Sequence, residues 1–276
     1  MSVMINELML QTEARRVAED LYGKRNGTSA HFTERLIGMV EEAGNKDFLV
    51  IHNPGGWGCS PLEQCLDWER SIVEGVTNTV QQLGYSATVM QHLRSGNSWW
   101  SHLRDLREQA RFLTRGRSTR AKVLATEVNF VTRCTDKLQV IMVGVSQGAA
   151  FSNAVMRQLG EAKRVYSIEL GIVFAHVPRR VVTDHICAID SNGICPDPMV
   201  RRDLLAGIRS YGAAPIIWLK CQLQRRPQRF TRCIHMPGHE YNWKYPAVRQ
   251  RIEDFLSTAF GGGGLEDGSH EARAIH

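Results

Sequence analysis

Cysteines in useful pairs, long apolar runs and aromatic platforms are all scarce in this 276-residue sequence. The seven cysteines, at 59, 65, 134, 187, 195, 221 and 233, form no CxxC pair and keep no regular spacing. That excludes a disulfide framework and a zinc ribbon, and suits a reducing compartment. No segment approaches the ~18 apolar residues of a membrane span, and the N-terminus is charged from Glu7 onward, too early for a signal-peptide core. A cytoplasmic protein with no integral membrane segment is expected. No acidic cluster accompanies the histidines, so neither a metal nor another cofactor is expected. The net charge of +6 and a pI near 9.0 permit an acidic partner. With no aromatic and basic platform and no recognised motif, nucleic acid is not expected to be one.

What is present is the balance of a globular protein, 43% hydrophobic and 22% charged, which excludes disorder, collagen and coiled coil. Short apolar runs alternate with longer amphipathic ones, the pattern of buried parallel strands joined by crossover helices. Strands are expected at 48–51, 87–90, 138–143, 165–168 and 185–189, with a weaker sixth at 230–235. Helices are expected at about 61–83, 120–134, 149–160, 198–211 and 246–259. Residues 1–45 carry two amphipathic helices, the first with Leu10, Ala14, Val17 and Leu21 on one face and the second with Phe32, Leu36, Ile37 and Val40 on one of its own. They read as a helical extension on the flank of an α/β domain spanning 46–260. The glycine-led tail 261–276 has too little apolar surface to order itself.

The most informative segment is Gly144-Val145-Ser146-Gln147-Gly148, directly after the most apolar strand and before a helix opening with Ala149 and Ala150. A serine there sits on a tight strand-to-helix turn, and the flanking glycines let neighbouring chain pass without a Cβ clash. Upstream, His52-Asn53-Pro54-Gly55-Gly56-Trp57-Gly58 follows the first strand. Downstream, Pro237-Gly238-His239-Glu240-Tyr241 precedes the last helix. In these three segments and in their order the chain resembles the α/β-hydrolase superfamily over roughly residues 47–259. The resemblance implies a mostly parallel sheet of six to eight strands flanked by helices, with a serine hydrolase site at its edge.

On that resemblance, Ser146 is the nucleophile, His239 the base, and the backbone N–H groups of Gln147 and of Gly56 or Gly55 bind the oxyanion, since Pro54 has no N–H to give. The acid is expected at Asp190, at the end of its strand, with Asp197 and Glu169 as alternatives. The expected substrate is a small-molecule carboxylic ester or thioester, and the alternative is a catalytically inactive hydrolase fold used for binding. Trp57, Trp99 and Trp100 are candidates for the substrate pocket. The arginine-rich stretch 99–120 could arch over it, although a solvated face is the simpler expectation. His52, His185 and His235 read as structural.

Overall fold

The computed structural model describes residues 2–24, 27–56, 58, 60–94, 108, 110–116, 118–224 and 236–262. Five strands among these residues form one sheet: β1 (Phe48–Asn53), β2 (Ala87–Gln91), β3 (Gln139–Val145), β4 (Val165–Leu170) and β5 (Ile186–Ile189). Their order is β2-β1-β3-β4-β5, with every pairing parallel. Continuous Val, Ile, Leu and Met runs make this possible, because a parallel sheet is covered on both faces and needs apolar residues at successive positions. β1 is buried along its whole length and β3 from its second residue on. The chain leaves β1 toward β2 on one side and then returns to place β3 on the other. The carboxyl end of β1 is therefore the topological switch point, where open α/β sheets bind ligands.

Helices cover both faces. α3 (Asp67–Gln82) and the C-terminal α8 (Pro246–Phe260) bury Ile72, Val76, Val80, Val248, Ile252 and Leu256 against one side of β1, β3, β4 and β5. α4 (Thr119–Cys134) and α5 (Gln147–Leu159) cover the opposite side with Leu124, Val128, Phe151 and Val155. The expected helical extension is present as α1 (Ser2–Tyr22) and α2 (Gly27–Ala43). Ala14, Ala18, Phe32 and Leu36 pack on Phe130 of α4, which seats the pair on the flank. The arrangement is an α/β-hydrolase-like topology, and no helix among the described residues is long and apolar enough to cross a membrane.

Two expected helices are interrupted. The segment 61–83 opens as a short 3-10 turn, Leu62–Gln64, and becomes α3 only at Asp67, because Cys65 is extended (ψ 168°). The segment 198–211 is split into α6 (Pro198–Arg201) and α7 (Leu204–Leu223), because Arg202 takes a left-handed φ of +61°. α7 then continues through Pro215 well past its expected end. The basic run near 115–122 is a helix start, with Ser118 Oγ accepting the Ala121 N–H at 3.2 Å as N-cap of α4. The sixth strand candidate, Trp57, Trp99, Trp100, His235 and the tail beyond 262 lie outside the described residues.

Candidate active site

At the carboxyl end of β3 the backbone of Ser146 adopts φ +56°, ψ −115°, a region that costs a non-glycine residue roughly 1–3 kcal/mol. Its neighbours show what enforces the turn. A Cβ on Gly144 would lie 2.5 Å from Gly148 O, and one on Gly148 would lie 2.0 Å from Asn53 O and 2.7 Å from Pro54 O. Bare backbone at both positions lets α5 start directly against the loop after β1. The Ser146 N–H donates to Leu170 O at 2.8 Å and ties the turn to the end of β4. Gln147 is the first residue of α5, and its N–H points out of the helix start with no intrahelical acceptor.

The sequence places His239 beside an acid, and the acid that meets it is Asp197. Asp197 Oδ2 accepts His239 Nδ1–H at 2.7 Å and the Tyr241 hydroxyl at 2.6 Å, and Oδ1 accepts the Met199 N–H at 2.7 Å. The carboxylate is fully buried, and the imidazole is 16% exposed. Burial, reinforced by the Asp197 charge, holds the Tyr241 phenol far above its ordinary value, so it stays a donor. Asp190 is corrected: it is exposed and bound through both carboxylate oxygens by Arg180 Nη1 at 3.0 and 2.8 Å. Glu169 is unsuitable as well. It is buried inside β4 and held by Arg180, Asn153 and Ser167, with burial raising its carboxyl to about 7.

Gly171 sets Asp197 beside the strand end that anchors Ser146. It follows Leu170, the acceptor of the Ser146 N–H, and takes φ +58°. A Cβ there would lie 2.5 Å from Asp197 Oδ2 and 2.7 Å from the Tyr241 ring. The carboxylate therefore packs against the residue next to the elbow's own anchor. Ser146 Oγ and His239 are not joined by a hydrogen bond, a contact that commonly tightens only when substrate binds.

The loop after β1 is held from two sides. Gly55 N–H donates to Glu69 Oε1 at 3.0 Å, so Gly55 is corrected as an oxyanion donor. Gly56 follows at φ +54°, with an N–H that meets no acceptor among the described residues. On the other side the almost fully buried Arg94 donates from Nη2 to Pro54 O (2.5 Å) and Gly56 O (2.9 Å), with a longer 3.4 Å contact from Nη1 to Gln147 O. One guanidinium thus ties carbonyls of the loop and of the first residue of α5 together. Phe151 lies 5.3 Å beneath it.

His52, Cys65 and Glu69 gather their donor atoms within 4.8 Å, close enough to hold a metal ion, and all three are buried. The sequence carries no spacing for this group, because its members come from β1, the turn before α3, and α3. His52 Nε2 is 3.0 Å from the same Glu69 oxygen that accepts Gly55 N–H. The cluster thus acts as a strut under the loop. Arg94 and Glu69 carry no motif in the sequence. Asp197 does leave a trace: Asp before Pro198 marks a helix N-cap followed by proline at N1. No protein-family model, curated protein or solved structure matches the chain.

Proposed function

We propose that the protein is a serine hydrolase that cleaves a carboxylic ester or thioester through an acyl-enzyme on Ser146. The observation that carries this reading is the left-handed Ser146 at the switch point with the buried Asp197–His239 pair set against Gly171 beside it. A serine hydroxyl is almost un-ionised near neutral pH and needs a base. With Nδ1–H committed to Asp197, the His239 tautomer leaves Nε2 as a lone-pair acceptor for the Ser146 proton.

As Oγ attacks the carbonyl carbon, the proton moves to Nε2, and the imidazolium is stabilised by the Asp197 carboxylate. The carbonyl oxygen becomes an oxyanion facing the N–H groups of Gln147 and Gly56, each such donor supplying roughly 3 kcal/mol in the transition state. The tetrahedral intermediate collapses, Nε2–H passes its proton to the departing alcohol or thiol, and the acyl group stays on Oγ. Water then attacks with His239 again as base, releasing the acid and restoring Ser146.

Labelling with a fluorophosphonate probe tests the reading. Wild-type protein is expected to be labelled, and Ser146→Ala and His239→Ala are expected to be blank. An unlabelled wild type, or equal labelling of Ser146→Ala, removes the hydrolase reading in favour of an inactive fold used for binding. A panel of short and long acyl esters and thioesters with the same controls then separates the substrate classes.

A further inference from the structure

Between the acid and the histidine the chain sends out α7, and this helix is built the wrong way round for a protein in water. On its inner side Ser210 and Ala214 are buried. Its outer line carries large aliphatic side chains, with Leu205 67%, Ile216 72%, Leu219 53% and Leu223 77% exposed. A surface helix ordinarily turns its apolar stripe inward, and a contiguous apolar face left outside marks a surface that something else covers.

Charge identifies what covers it. Between Asp203 and Glu240 the sequence has no acidic residue and six basic ones, Arg209, Lys220, Arg225, Arg226, Arg229 and Arg232. Their sum equals the net charge of +6 of the whole chain. Lys220 stands on α7 next to Leu219, where a long aliphatic stem can lie along the apolar face with the ammonium at its edge. Two copies of this chain meeting through α7 would bring Arg209 and Lys220 of each together. Exposed aliphatic side chains on a helix that carries Arg209 and Lys220 and no acidic residue suit the boundary between the acyl chains and headgroups of an anionic bilayer.

We propose that α7 docks the protein on an anionic lipid surface, lying in its plane. α7 begins just after α6, whose N-cap is Asp197. Docking therefore places the site at the membrane, and on the hydrolase reading above it gives Ser146 acyl esters presented by the lipid surface.

Flotation of the full-length protein with vesicles tests this, comparing phosphatidylcholine alone with an equal mixture of phosphatidylcholine and phosphatidylglycerol. Wild type is expected to float with the anionic vesicles only. The exposed positions of Ile216→Ser/Leu219→Ser/Leu223→Ser allow the fold to stand, checked by an unchanged thermal midpoint, while binding falls at least about tenfold, the scale of burying one aliphatic side chain. Lys220→Glu weakens binding in the same direction, and added salt releases the wild type. Hydrolysis of an ester embedded in anionic vesicles falls in the triple variant, and its rate on a water-soluble short ester stays at the wild-type value.

Failure of wild type to float, or equal flotation of the triple variant, overturns the proposal. So does light scattering that finds a dimer dissolved by the three serines, since the covering surface is then a second copy. Ser146→Ala floats as wild type does. Loss of labelling with flotation intact removes only the hydrolase reading, and the converse removes only the docking surface.

Discussion

Asp190 and Asp197 follow the same strand, seven residues apart, yet their surroundings assign them different work. A carboxylate that orients an imidazole must be buried, unpaired with any cation and aimed at Nδ1. Asp197 meets all three conditions, and Asp190 is neutralised by Arg180 at the surface. Asp197→Asn is expected to cost about 10⁴-fold in kcat, because the amide stabilises the wrong tautomer of His239. Asp190→Asn is expected to leave turnover within about twofold, since a surface ion pair carries little. Steady-state kinetics on a common ester decides, and the opposite ranking returns the acid to Asp190. Ser146, His239 and the loop after β1 were legible because turn chemistry and chain order mark them. The choice of acid was not, because it depends on where the backbone carries each carboxylate after β5.

Arg94 makes a second case at this scale. Its bonds to Pro54 O, Gly56 O and Gln147 O join the two stretches of backbone that hold the proposed oxyanion donors. Arg94→Met removes that join while keeping an apolar neighbour for Phe151. The expected result is a fall of roughly 10²-fold in kcat, the scale of misplacing one oxyanion donor, with KM moving much less. Arg94→Lys is not expected to restore it, since one ammonium cannot reproduce the planar fork. A variant that alters KM and kcat equally would make Arg94 a substrate contact instead of a positioning residue.

At the scale of elements, strands and crossover helices were legible from periodicity alone, because buried parallel strands and one-sided helices leave opposite patterns. Breaks within helices were not. Nothing in Pro198 to Tyr211 shows that Arg202 will turn left-handed, and the expected helix over 198–211 gives no sign of the apolar continuation of α7 whose outer line the fold leaves bare. Contacts between elements were equally hidden, as with Glu127 of α4, paired with Arg35 of α2 at 2.8 Å beside His92. Burial raises the Glu127 carboxyl from 4.5 to about 7 in the fold, against the opposing pull of Arg35. The folded state thus holds this proton more tightly than the unfolded chain does. The resulting stability is present below the unfolded value and is lost as the pH rises through about 7. Glu127→Gln, fixed in the neutral form, should therefore gain on wild type by up to about 3 kcal/mol between about pH 5 and pH 8. His92, held down to about 3 mainly by burial, titrates on the acid side in both proteins and cancels in the difference. Thermal midpoints across that range test it, and a flat difference overturns it.

For the whole molecule, the question is whether the helical extension and the sheet domain unfold together. The division near residue 45 was legible because strands begin only at Phe48. The coupling across it was not, since it runs through side chains. Phe130 belongs to α4, which covers the sheet, and also to the cluster of Ala14, Ala18, Phe32 and Leu36. Arg35 adds a charged tie to Glu127 on the same helix. An extension that shares its core with a central helix cannot melt without stripping α4, so denaturant unfolding is expected as one transition. Leu36 is fully buried in the shared cluster. Leu36→Ala is expected to lower the unfolding free energy by about 2–5 kcal/mol with the slope against denaturant unchanged. The kcat of the folded protein should hold, because Leu36 makes no contact with the elbow or with Asp197 and His239. Two transitions in wild type, or a Leu36→Ala variant that loses only an early one while the sheet melts where it did before, would make the extension a separate unit docked on α4.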